Sequence, residues 1–114
     1  MHDWPKIDVV VTFLTESEGG RKNPAFASSK YRPHVVVESV NERAPGSGVY
    51  LGVCFEGDEQ PMEPGVSHPV RLALPYHPTV DYGQLESGAT FTIREGARVV
   101  GFGRVTGGVE DELT

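Results

Sequence analysis

The run from Phe91 to Val105, Phe-Thr-Ile-Arg-Glu-Gly-Ala-Arg-Val-Val-Gly-Phe-Gly-Arg-Val, constrains the fold more than any other stretch. Phe91 and Ile93 alternate with Thr90, Thr92 and Arg94, the two-residue period of a strand with one buried face. Glu95-Gly96 supplies a turn, because glycine takes positive φ without a Cβ penalty. A two-residue loop there would set Ile93 opposite Arg98 and spoil the apolar face. A four-residue loop, Glu95 to Arg98, sets Ile93 opposite Val100 and Phe91 opposite Phe102. That register keeps one face apolar, so it is the expected one, with Phe102 inside.

The same period recurs along the chain. Ile7, Val9, Val11 and Phe13 share one face of a first strand, and Val10, Thr12 and Leu14 the other. Apolar content on both faces predicts that the outer one is covered as well. Thr15 to Lys30 is a long polar loop of the kind that often carries function, with Phe26 expected to anchor its far end in the core. Pro33 holds Arg32 extended, and His34 to Val40 is a second strand around Val35, Val36 and Val37. After a turn region, Val49 to Phe55 is a third strand, with Val49, Leu51, Val53 and Phe55 on one face. Val70 to Leu74 is a fourth, and Pro75 to Gly88 is irregular. No segment keeps a helical period over ten residues. Six short strands with turn signals between them predict an all-β, antiparallel sandwich or barrel. The expected organisation is a lead over 1–6, a β-barrel domain over 7–105 and an acidic tail over 106–114.

A chain of 114 residues holds one domain. The opening Met1-His2-Asp3-Trp4-Pro5 has no signal-peptide pattern, and no apolar run approaches a membrane span, so a cytoplasmic location is expected. Cys54 is the one cysteine, which excludes an intrachain disulfide, and its apolar neighbours mark it as a core residue. The net charge of −6 argues against a strong field for nucleic acid. Seven of the sixteen acids lie in the loop Glu56 to Gly65 and in the tail, leaving nine against ten bases elsewhere. A local basic patch is compatible with that balance.

Catalytic patterns are missing. There is no phosphate-binding glycine loop, so no nucleotide is expected. His2, His34, His68 and His77 have no metal-ligand spacing, and no metal or other cofactor is expected. Asp58-Glu59 sits among other acids in a polar loop, without the desolvation that general acid catalysis needs. The chain reads as a non-enzymatic binding module.

Two blocks also carry a resemblance. Phe91 to Gly103 resembles the last hairpin of elongation factor Tu. Glu18-Gly19-Gly20-Arg21-Lys22-Asn23-Pro24 followed by Tyr31-Arg32-Pro33 resembles a loop of the same C-terminal domain. Weaker echoes at Pro64-Gly65 and His77-Pro78 fall in the same order, and the match spans roughly Ile7 to Val105. The resemblance implies a six-stranded closed barrel, here as a single domain. It also implies weak contact with transfer RNA or other structured RNA, through Arg21, Lys22, Glu95, Gly96 and Arg98 in the loop and hairpin turn. Backbone and basic groups there would meet phosphate and ribose. GTP hydrolysis belongs to another domain of that factor and is not carried over. The chain departs from the family after its second strand, where Ser39-Val40-Asn41-Glu42-Arg43-Ala44 replaces a threonine-rich run, and at Gly96-Ala97, where the family has two glycines.

In the full factor this barrel packs on a second barrel. The matching outer surface here contains Val10, Leu14 and Val99, more apolar than a solitary barrel needs. A homodimer or a protein partner on that face is the alternative expectation.

Overall fold

A computed structural model of the chain describes residues 4–41, 44–45 and 48–110. The first strand, β1 (Lys6–Phe13), shows how the alternation is used. Ile7, Val9, Val11 and Phe13 are each at most 3% exposed, while Lys6, Asp8, Val10 and Thr12 between them stay partly in solvent. The remaining strands follow as β2 (Ala25–Ala27), β3 (His34–Asn41), β4 (Ala44–Pro45), β5 (Tyr50–Gly52), β6 (Cys54–Glu56), β7 (Gln60–Met62), β8 (Ser67–Ala73), β9 (Thr90–Glu95) and β10 (Arg98–Glu110). The described residues contain no α-helix; a 3-10 turn, Glu16–Glu18, is the one helical element among them. No described helix is long and apolar enough to cross a membrane.

The main sheet runs β4-β3-β9-β10-β1-β8-β6, and all of its pairings are antiparallel. β5 joins it on β3. Only Val53 separates β5 from β6, and there one length of chain changes neighbours from β3 to β8. Val53 N–H donates to Pro33 O at 3.1 Å and Phe55 N–H to Tyr31 O at 3.0 Å, which continues the contact past β5. The sheet thereby comes close to closing on itself as a barrel. Its interior is filled by Ile7, Val9, Val11, Phe13, Val35, Val37, Leu51, Phe55, Leu72, Phe91, Ile93 and Val100. Cys54 is buried, as its neighbours predict.

The hairpin register differs from the expected one. Glu95 pairs with Arg98, so Gly96-Ala97 is a two-residue turn with Gly96 at φ +64°. A bulge between Val99 and Gly101 then adds one residue to β10. Val100 is fully buried, but Gly101 and Gly103 stand opposite Ile93 and Phe91, and Phe102 faces outward at 48% exposure. The bulky residues of β9 need the room that two glycines leave: a Cβ on Gly103 would lie 2.6 Å from Phe91 Cζ. The four-residue loop with Phe102 inside is therefore corrected.

Four smaller expectations also change. Phe26 does not anchor the loop; it is 49% exposed, and its neighbours Ala25 and Ala27 are buried instead. β2 pairs with β7, so part of the acidic loop is strand. Val49 is exposed while Leu51, Val53 and Phe55 point inward. β10 continues past Val105 to Glu110, alongside Lys6 and Asp8, so the residues read as a tail begin as strand. Asp111 and Glu112 lie outside the described residues.

Candidate binding surface

The loop after β1 is built to lie flat on the end of the barrel. Glu18 Oε1 accepts the Thr15 N–H at 2.8 Å, closing the 3-10 turn. This backbone bond, helped by the Thr15 hydroxyl, holds the Glu18 carboxyl below its ordinary pKa. Gly19 leaves the turn at φ +98°, a left-handed conformation that suits glycine. Gly20 is buried, and its N–H donates to Thr15 O at 2.8 Å.

Two arginines then tie this loop to the β9–β10 hairpin. Arg98 Nε donates to Gly19 O at 3.1 Å, and its Nη2 donates to Gly20 O. Arg21 donates through Nε to Asn23 O at 3.0 Å and forms an ion pair with Glu95 through Nη1. The same Glu95 oxygen accepts the Tyr31 hydroxyl at 2.7 Å. Tyr31 reaches inward, with its ring 5.0 Å from Phe55 and 6.1 Å from Phe13, while the Arg21 guanidinium sits 5.5 Å from its centroid. The two sequence blocks that carry the resemblance thus meet as one site rooted in the core.

Tyr31 holds its proton far above the ordinary phenol range. Burial is the largest cause, followed by the hydrogen bond to Glu95 and the charge on that carboxylate. The folded chain therefore binds this proton more tightly than the unfolded chain does. Its contribution to stability is full below about pH 10, the ordinary phenol value, and is lost as pH rises above that. Burial also raises Tyr82, whose hydroxyl donates to Gly52 O at 2.7 Å. Tyr31→Phe is expected to make alkaline destabilisation shallower without abolishing it, measured as the urea midpoint against pH. An unchanged alkaline slope would show that Tyr31 is not held in this way.

The sequence-predicted site residues divide by role. Arg21, Glu95 and Arg98 are engaged in holding the loop. Lys22 and Gly96 are exposed at its rim, and Lys22 has no ion-pair partner among the described residues. Beside them on the outer face lies a group that sequence reasoning missed. Arg94 donates to Thr92 Oγ1 at 2.8 Å and to the Tyr50 hydroxyl at 3.3 Å, with its guanidinium 5.6 Å from the Tyr50 ring. His34, exposed as expected for its strand position, lies 5.9 Å from the same ring. Further along, Arg32 stacks 5.6 Å from Trp4. The signal was cross-strand: His34 pairs with Arg94, and Val36 with Tyr50. Sequence order does not display such neighbours.

The protein-interface candidates Val10, Leu14 and Val99 are all half-buried. Val10 lines a groove of about 430 Å³ on the outer face, shared with Thr12, Thr92 and the exposed Phe102. A larger cleft of about 590 Å³ lies between β1, β8 and β7, where Asp8 pairs with Arg71 at 2.9 Å. No protein-family model matches the chain.

Proposed function

We propose that the chain is a non-enzymatic binding module that contacts structured RNA, such as transfer RNA, with the rim formed by its first loop and last hairpin. The observation that carries this reading is the meeting of two segments far apart in sequence. Arg21–Glu95 and Arg98 with Gly19 and Gly20 fix the loop, which leaves Lys22 and the Gly96 backbone presented outward. A held loop loses little conformational freedom on binding. Arg94, His34 and Tyr50 extend the rim with cationic and stacking groups suited to phosphate and exposed bases. The resemblance to the C-terminal domain of elongation factor Tu adds an association with translation. It also makes a six-stranded closed barrel the natural description, with Tyr50 to Glu56 counted as one strand bent at Val53.

Because two guanidiniums are already engaged, few phosphates can be neutralised. Binding to a duplex RNA hairpin is expected to be weak, with log affinity falling against log salt at a slope of about 2, for two to three contacts at about 0.7–0.9 each. Lys22→Ala with Arg94→Ala should weaken binding and flatten that slope, as read by fluorescence anisotropy across a salt series. The absence of binding at low salt, or binding that ignores the double substitution, would overturn the reading.

A second reading, a protein interface, is favoured by one observation. Phe102 is about half exposed in the middle of a sheet face that also presents Val10. An aromatic ring so placed gains from being covered.

A further inference from the structure

The outer face of β3, β9, β10 and β1 has a pattern that matches itself. In one row across the strands, Thr90 of β9 pairs with Ser39 of β3 on one side and Arg104 of β10 on the other, and Glu38, next to Ser39, lines the same groove as Thr90 and Arg104. Glu38 sits where the β3–β9 register shifts, between Val37 and Ser39, and is exposed. Neither Glu38 nor Arg104 has an ion-pair partner among the described residues. In the next row, Thr92 of β9 lies between Val36 of β3 and Phe102 of β10.

From this arrangement we propose that a second copy of the chain docks on this face, related by a two-fold axis running along β9. This rests on the protein-interface reading and names its partner. A rotation by half a turn about that axis exchanges the positions of β3 and β10. Arg104 of each copy then faces Glu38 of the other, and Phe102 of each lies over β3 of the other. The interface is isologous, so each contact occurs twice. The strands of the two sheets remain nearly aligned, the common geometry of face-to-face sheets. Charge selects this arrangement. The chain carries −6 overall, which opposes self-association, but the groove on this face is lined by one acid, Glu38, and one base, Arg104, placed to meet their opposites. The half-exposed ring supplies apolar contact at the centre of the patch, where interface energy concentrates.

Sedimentation velocity over a concentration series tests the proposal with the full chain. The wild type is expected to pass from monomer to dimer as concentration rises. Phe102→Asp should raise the dissociation constant about tenfold or more while leaving the β-type circular dichroism spectrum and the urea midpoint intact. Glu38→Arg alone and Arg104→Glu alone should each weaken the dimer by like-charge contact. Combining the two should restore it, because each copy then again faces its opposite. A wild type that stays monomeric throughout overturns the proposal. So does a dimer indifferent to Phe102→Asp, or a double charge exchange that does not restore association. A wild-type monomer that binds another protein through Phe102 would retain the interface reading and reject the second copy as its partner. RNA affinity of Phe102→Asp, measured at concentrations where the wild type is also monomeric, should be unchanged, since Lys22 and Arg94 are untouched.

Discussion

Gly20→Ala is expected to lower the unfolding free energy by about 3 kcal/mol or more, at or above the upper end of ordinary overpacking. A Cβ at this position would lie 2.1 Å from Leu14 O, 2.6 Å from Leu14 C and 2.8 Å from Thr15 O. All three are backbone atoms, and Leu14 is held by its own N–H bond to Val100 O at 2.9 Å. Nothing there can move aside as a side chain would, so the loop must lift. Lifting it withdraws the Gly19 and Gly20 carbonyls from Arg98 and strains the Arg21–Glu95 pair. Gly19→Ala is the control. Its Cβ would meet nothing within 4 Å, and its cost is the left-handed backbone alone, about 1–2 kcal/mol. Urea unfolding of the two variants should therefore separate them, with Gly20→Ala the worse. Equal midpoints would mean that the loop is not docked as described. The RNA reading makes an additional demand: Gly20→Ala should also lower RNA affinity, because the rim it supports is no longer held.

Much of the fold is legible in the sequence because strand periodicity is a local property. Ile7, Val9, Val11 and Phe13 can be assigned to the inside from their spacing, as can Phe91 and Ile93, and all six are buried. What spacing cannot supply is the point at which it is interrupted. The bulge in β10 depends on the bulk of Phe91 and Ile93 across the hairpin, and alternation read along β10 alone puts Phe102 on the wrong side. The β2–β7 pair was hidden for a similar reason. Each strand is three residues long, and Phe26, the most conspicuous apolar residue, is the one that points outward. The candidate site was legible in its location and not in its wiring. Arg21, Glu95, Gly96 and Arg98 do gather in one place. That Arg21 and Arg98 hold the loop follows only from the close approach of two distant segments, which also places Tyr31 beneath them. Tyr50 and Arg94 form a pair only because β3 lies between their strands.

The largest single effect is expected at Phe91, where β9 and β10 share one volume. Phe91 is 1% exposed and stands opposite Gly103, whose absent side chain leaves room for the ring. Phe91→Ala removes a buried aromatic and leaves a cavity that a paired strand cannot easily collapse, costing about 3–5 kcal/mol. Gly103→Ala attacks the same volume from the other side. Its Cβ would lie 2.6 Å from Phe91 Cζ, 2.9 Å from Phe91 Cε1 and 2.8 Å from Val10 O. Two of these contacts disappear when the ring is removed, and the one with the Val10 backbone remains. The double variant Phe91→Ala/Gly103→Ala is therefore expected to be more stable than the sum of the two losses predicts, by about 1 kcal/mol or more, within the range found for residues in contact. It should still fall short of complete compensation, because Val10 O cannot retreat without pulling β1 from β10. A urea double-mutant cycle reads this directly. Additive losses would mean that Phe91 and Gly103 do not share space, and the inward placement of Phe91 against β10, with Phe102 turned outward, would have to be abandoned.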